Sequence, residues 1–161
     1  MYCHQKTIVL RITFLILTFS NLSYSDSFNY NTYNNHGVVG IINMPSARLY
    51  DESIHGITFY DGTPDQKITL TSSPYDWLEA SFFYTNIQDK PYPYFEYQDY
   101  KDKGFNIKVR IKEEGIFPAV AFGINDIVGT GLYSSEYLVA SYGRNKVDFH
   151  LGLAWGTLNG S

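Results

Sequence analysis

Lys103-Gly-Phe-Asn-Ile-Lys-Val-Arg-Ile-Lys112 and, further along, Lys146-Val-Asp-Phe-His-Leu-Gly-Leu-Ala-Trp155 alternate almost residue by residue. In the first, Phe105, Ile107, Val109 and Ile111 are apolar, and Asn106, Lys108, Arg110 and Lys112 are polar. In the second, Val147, Phe149, Leu151, Leu153 and Trp155 alternate with Asp148, His150, Gly152, Ala154 and Gly156. Side chains on a strand point to opposite faces with a period of two. Each strand therefore has one oily face and one that is polar or tiny. Strands of roughly 9–11 residues with this alternation, downstream of an export signal, predict a membrane-spanning β-barrel.

The stretch between them continues the pattern. Phe117–Ile124 and Leu132–Tyr142 read as strands, separated by a loop over Asn125–Gly131. Upstream, Ile54–Tyr60, Gln66–Ser72 and Trp77–Asn86 are three more. In the second of these, Ile68 and Leu70 oppose Lys67, Thr69 and Thr71. Seven strands follow from Ile54, or eight if the glycine-broken His36–Asn43 segment pairs as well. The fold class expected is all-β: an antiparallel up-and-down membrane barrel of about 8 strands, or the first part of a larger one. A soluble periplasmic β-sandwich that binds glycans is the alternative, because buried inner faces and polar outer faces give the same alternation.

The N-terminus sets the compartment. Lys6 and Arg11 form a positive region, Ile12–Phe19 is a short apolar core, and Ser23-Tyr24-Ser25 has cleavage-site spacing. Residues 1–25 are thus expected to be a cleaved signal peptide, too short in its apolar core to span as a helix. Residues 26–35, rich in Asn, Ser and Tyr, read as a flexible leader, and 36–161 as the β-barrel domain. Cleavage removes two of the 12 basic residues and leaves 10 against 16 acidic ones. No basic patch supports nucleic-acid binding. The single cysteine, Cys3, precedes the apolar core. From this the protein is expected to reside in the outer membrane of a Gram-negative bacterium without being a lipoprotein.

Candidate sites are few. His36, His55 and His150 lack metal-ligand spacing, so no metal or cofactor is expected. Ser134-Ser135-Glu136 offers no positioned base, so no catalytic group and no enzyme activity are expected. Lys108, Arg110 and Lys112 share a face that would line a barrel lumen, with Glu79 and Glu136 as pairing partners. The segment Ile87–Asp102 is expected to be the longest loop, acidic and tyrosine-rich. Its Tyr92, Tyr94 and Tyr97 are candidate glycan contacts, since flat rings stack on sugar faces.

Five motifs in order carry a resemblance to a family. They are Gly37-Val-Val-Gly40-Ile-Ile-Asn-Met-Pro45-Ser46-Ala47-Arg48, Pro74-Tyr-Asp-Trp77-Leu78-Glu79-Ala80, Asp102-Lys103-Gly104-Phe105-Asn-Ile-Lys108, Phe117-Pro118-Ala119-Val120-Ala121 and Gly129-Thr130-Gly131-Leu132-Tyr-Ser134-Ser135-Glu136-Tyr137. Together they resemble the YjbH family of exopolysaccharide-associated outer-membrane proteins. The resemblance implies a β-barrel with a role in exopolysaccharide or capsule assembly and export. It implies outer-membrane lipid, polysaccharide and export-machinery proteins as partners.

Overall fold

The structure, a computed structural model, describes residues 31–92 and 95–157, with side chains throughout that range except those of residues 92–97. The expected signal peptide lies outside the described residues. So do Tyr94 and the side chains of Tyr92 and Tyr97.

The described residues are all-β. A short hairpin comes first, β1 (Gly40–Ile41) and β2 (Met44–Pro45). Seven longer strands follow: β3 (Ile54–Asp61), β4 (Asp65–Tyr75), β5 (Leu78–Tyr92), β6 (Phe95–Lys112), β7 (Ala119–Asn125), β8 (Ser135–Arg144) and β9 (Val147–Gly156). They pair antiparallel in sequence order, each with the next, into one sheet. Consecutive pairing with short turns is what two-residue connections such as Asp76-Trp77 and Asn145-Lys146 dictate. Asn145 takes the positive φ that such a turn needs.

Two expectations change. The His36–Asn43 segment does not add an eighth strand. It folds on itself as β1–β2, and β3 and β9 remain the edges of an open sheet, so the described strands do not close into a barrel. The Ile87–Asp102 segment is no long loop. β5 and β6 run on through it as an extended hairpin, because tyrosines suit a pleated strand and register shifts around Pro91 absorb the missing donor.

The orientation of the sheet is its main feature. One face carries Lys67, Thr69, Thr71, Glu79, Ser81, Thr85, Asn106, Lys108 and Ser141, and all are buried. The other carries Phe59 at 76%, Leu151 at 75%, Leu153 at 68% and Phe149 at 62% exposure. Soluble antiparallel sheets bury the apolar face; here the polar face is covered instead.

The cover is a strap, residues 31–50, which includes the β1–β2 hairpin. It inserts Val38, Val39, Ala47 and Leu49 against the sheet. Small residues make the room: Ala47 packs with Ala119, Ala121, Tyr137 and Val139. Gly37 adopts φ +77°, and a Cβ there would lie 2.3 Å from Thr69, so the strap turn needs glycine both for conformation and for approach. Gly123 similarly lies under the ring of fully buried Tyr137.

A Cβ at Gly123 would fall 2.2 Å from Tyr137. Gly123→Val is therefore expected to destabilise the fold by ~1–3 kcal/mol through overpacking. Gly115→Val, where nothing lies within 4 Å, should stay within about 0.5 kcal/mol. Denaturation midpoints of the two variants measure the difference.

Candidate functional site: the strap-covered polar face

Backbone polar groups of the strap cannot reach water where they lie on the sheet, so the sheet must answer them. Glu79 on β5 and Lys108 on β6 are paired in register, and their side chains are 1% and 0% exposed. Lys108 Nζ donates to Glu79 Oε1 at 3.0 Å, to Val39 O at 3.0 Å and to Arg48 O at 3.0 Å. That is the full donor capacity of an ammonium. Glu79 in turn accepts the Val39 N–H at 3.1 Å. The ion pair thus clamps both polar groups of one strap residue and reaches a second point nine residues on.

Further contacts fix the two ends. Thr71 Oγ1 donates to Gly37 O. Ser141 Oγ accepts the Ala47 N–H at 2.8 Å and lies 2.8 Å from His150 Nδ1. Arg48 makes a two-pronged contact with Asp148, through Nε at 2.9 Å and Nη2 at 2.7 Å, and also bridges to Glu114. Such bidentate pairs fix orientation as well as distance. Asn31 Nδ2 donates to Leu49 O, and Asn34 Oδ1 accepts from His36 N and Val38 N. Residues 31–35, the end of the segment expected to be a flexible leader, are thereby tied into the strap.

At the opposite end from Arg48, a second polar cluster forms. Lys67 on β4 is buried beneath His36, 3.5 Å from Asp65 Oδ2 and 3.4 Å from His36 Nδ1. The Tyr133 ring lies 4.1 Å from its Nζ, and the Tyr133 hydroxyl donates to Asp65 Oδ2 at 2.7 Å. Burial, and then the neighbouring Lys67 charge, push the His36 imidazole down to about 4. His36 is therefore neutral near neutral pH and accepts from the lysine.

Of the five charges singled out from the sequence, the structure brings together Glu79 and Lys108. Arg110 shares their face at the sheet end and pairs with Glu113 at 3.1 Å. Lys112 and Glu136 lie on the other face. A register shift between Arg110 and Lys112 turns Lys112 outward, over the Phe117 ring. Glu136 is paired opposite Ile124 and Trp155, because alternation from inward-facing Ser135 and Tyr137 sends it outward. Sequence reasoning missed Arg48, Asp65, Lys67 and Tyr133 as interacting groups. The signal for Lys67 was present in its alternation with Ile68. Asp65 shares its strand face two residues away, but the other partners, His36 and Tyr133, come from the strap and a distant loop, which no spacing reveals.

The YjbH family model, described as "Exopolysaccharide biosynthesis protein YbjH", matches residues 32–161. The chain belongs to this family. The match includes both the strap and the sheet. A curated relative, "Uncharacterized lipoprotein YjbH" of Escherichia coli (strain K12), is 38% identical over 130 residues. The match covers 78% of this chain and 19% of the relative, so the chain spans about a fifth of that protein's length. No solved structure matches. The relative's name corrects one expectation. The exclusion of lipid anchoring, and with it the localisation drawn from the position of Cys3, does not stand in a family with a member called a lipoprotein.

Lys108→Met should cost ~3–5 kcal/mol, because it leaves the Glu79 carboxylate buried and unpaired. The double variant Glu79→Gln/Lys108→Met, whose amide oxygen still accepts from Val39, should recover part of the loss. Hydrogen exchange at the Val38 and Val39 amides reads both. His36 adds a pH dependence. The unfolded imidazole protonates near 6.5 and the folded one near 4, so the unfolded state binds more protons between those values. Strap protection should be full above pH 6.5 and fall as pH drops from 6.5 toward 4, and His36→Gln should flatten that window.

Proposed function

We propose that this chain forms part of the wall of a membrane β-barrel that serves exopolysaccharide assembly or export, with its apolar face toward lipid and its strap-covered polar face inward. The observation that carries the reading is the inversion of the sheet: oily side chains are exposed and ionised ones are enclosed. In lipid, outward apolar and inward polar residues are what a spanning strand requires. In water, the same arrangement leaves a large apolar surface uncovered, and such surfaces mark contact with membrane or partner. The polysaccharide part of the reading is supported by membership of the YjbH family.

The strap favours the barrel over the β-sandwich. A sandwich packs two apolar faces together, whereas the covering layer among the described residues lies on the polar face. Among the described residues, β3 and β9 are the edges of the sheet, and hydrocarbon does not satisfy unpaired edge groups. In lipid both edges therefore need a strand partner.

Leu151 sits mid-strand on the apolar face of β9. Leu151→Lys is expected to weaken folding into lipid vesicles by ~2–4 kcal/mol if it lies near the bilayer midplane. The same change in an aqueous sandwich would improve solubility where the face is open. Bromine-labelled acyl chains should quench Trp155 fluorescence after reconstitution; a chain that stays in the aqueous phase with unquenched Trp155 would sink the membrane reading. Removing the coding sequence should lower exopolysaccharide in the medium, and unchanged polymer would remove the second half of the proposal.

A further inference from the structure

The strap does not seal the sheet end where His36 lies. A cleft of about 150 Å³ opens there, with Asn35 and Asn43 of the strap on one side and Tyr60, Asp65 and Tyr133 on the other, above Lys67. Beneath it lies a chamber of about 10 Å³, lined by Lys67, His36, Tyr133 and Asn125 among others. That volume holds one water or one hydroxyl group. Four parts of the chain converge on the cleft: the strap, the β3–β4 hairpin, β4 and the β7–β8 connection.

The polar groups are incompletely matched in a specific way. Asn125 Nδ2 donates to Ser135 Oγ at 2.9 Å, and Ser135 Oγ donates to Tyr133 O at 3.3 Å. This fixes the amide orientation, and Asn125 Oδ1 is left buried without a donor. Lys67 Nζ has its two polar contacts at 3.4 and 3.5 Å, the long end of the hydrogen-bond range. The chamber thus presents a free acceptor beside a lysine whose two polar contacts are long and whose Nζ otherwise lies over the Tyr133 ring. A hydroxyl group answers both, since it donates one bond and accepts others. An anion only accepts, so it would leave Asn125 Oδ1 unmet. It would also face Asp65, Asp102 and Asp126, whose charges act on Lys67. Tyr60, half-buried at the rim, gives the cleft an apolar wall of the kind that stacks on a sugar face.

From this juxtaposition we propose that the cleft between the strap turn and the β3–β4 hairpin binds one uncharged sugar residue of a glycan chain, with a ring hydroxyl seated between Lys67 and Asn125. The cleft is far below the roughly 300–1,000 Å³ of a pocket for a drug-sized ligand, so a single ring enters and the rest of the chain stays in solvent. The inference deepens the polysaccharide reading above and rests on it for the ligand class.

The test uses the full chain folded in detergent micelles and saturation-transfer NMR. The neutral probes are maltohexaose, mannohexaose and galactohexaose; the acidic probe is hexagalacturonate. At least one neutral oligomer should receive transfer, more strongly than the uronate. Asn125→Ala should weaken that binding by ~10-fold, the scale of one lost buried hydrogen bond. Tyr60→Ala, at the partly exposed rim, tests the wall without touching the buried network. Circular dichroism confirms that each variant is folded. The proposal is overturned by absence of transfer from every neutral oligomer, by tighter uronate binding, or by affinity unchanged in both variants. A chain that enters lipid but binds no neutral sugar loses this inference alone. One that binds sugar yet stays out of lipid loses only the barrel reading.

Discussion

A backbone segment laid across the polar face of a sheet must have its N–H and C=O groups answered by that sheet. In this protein the Glu79–Lys108 pair does so at the centre. Desolvating two charges is expensive, and their mutual attraction offsets the cost only when the remaining lone pairs and protons also find partners. Here they do, because Val39 and Arg48 bring backbone groups to the vacant positions. The pair stabilises the strap and the strap completes the pair. Neither arrangement is favourable alone, and their coupling is why the enclosed face tolerates ionised side chains at all.

Inversion of the sheet follows from that coupling. Once the polar face is filled, the apolar face has no layer of its own among the described residues. The chain then presents Phe59 on β3 and Phe149, Leu151 and Leu153 on β9 outward, on the two edge strands of the sheet. This is the physical link between the interior contacts and the proposed residence in lipid. The same small side chains that admit the strap, Ala119, Ala121 and Gly123, sit on the interior strand β7. They keep the strap close enough for Ala47 to be fully buried.

The strap also creates the cleft. Its turn at Gly37 places His36 over Lys67, and the hairpin around Pro64 rises beside it. A neutral imidazole there lets the lysine charge be shared with Asp65 rather than opposed by a second cation. The clamp at Arg48 lies at the other end of the strap. The strap is therefore fixed at one end by ion pairs and borders an open site at the other. That polarity gives the enclosed face a direction, from the Arg48 ion pairs to the cleft at His36.

Apart from Ile87–Asp102, read as a loop but found in β5 and β6, the sequence by itself determined the strands, their order and their two-faced character. Alternation and turn chemistry are local, and Phe105–Lys112 and Val147–Trp155 could adopt little else. It also carried the family, through motifs such as Gly37–Arg48 and Leu78–Ala80. Only the tertiary structure decided that the His36–Asn43 segment belongs to a strap rather than being an eighth strand. A glycine-broken apolar run fits either role, and long-range contacts to Glu79, Lys108 and Asp148 choose between them. It also decided which charges meet. A one-residue register shift after Arg110 reverses the face of Lys112, and Lys67 meets the ring of Tyr133, far along the chain in the β7–β8 connection. Periodicity fixes which face a side chain occupies on a regular strand; it holds no information on bulges or on what a distant segment lays upon that face.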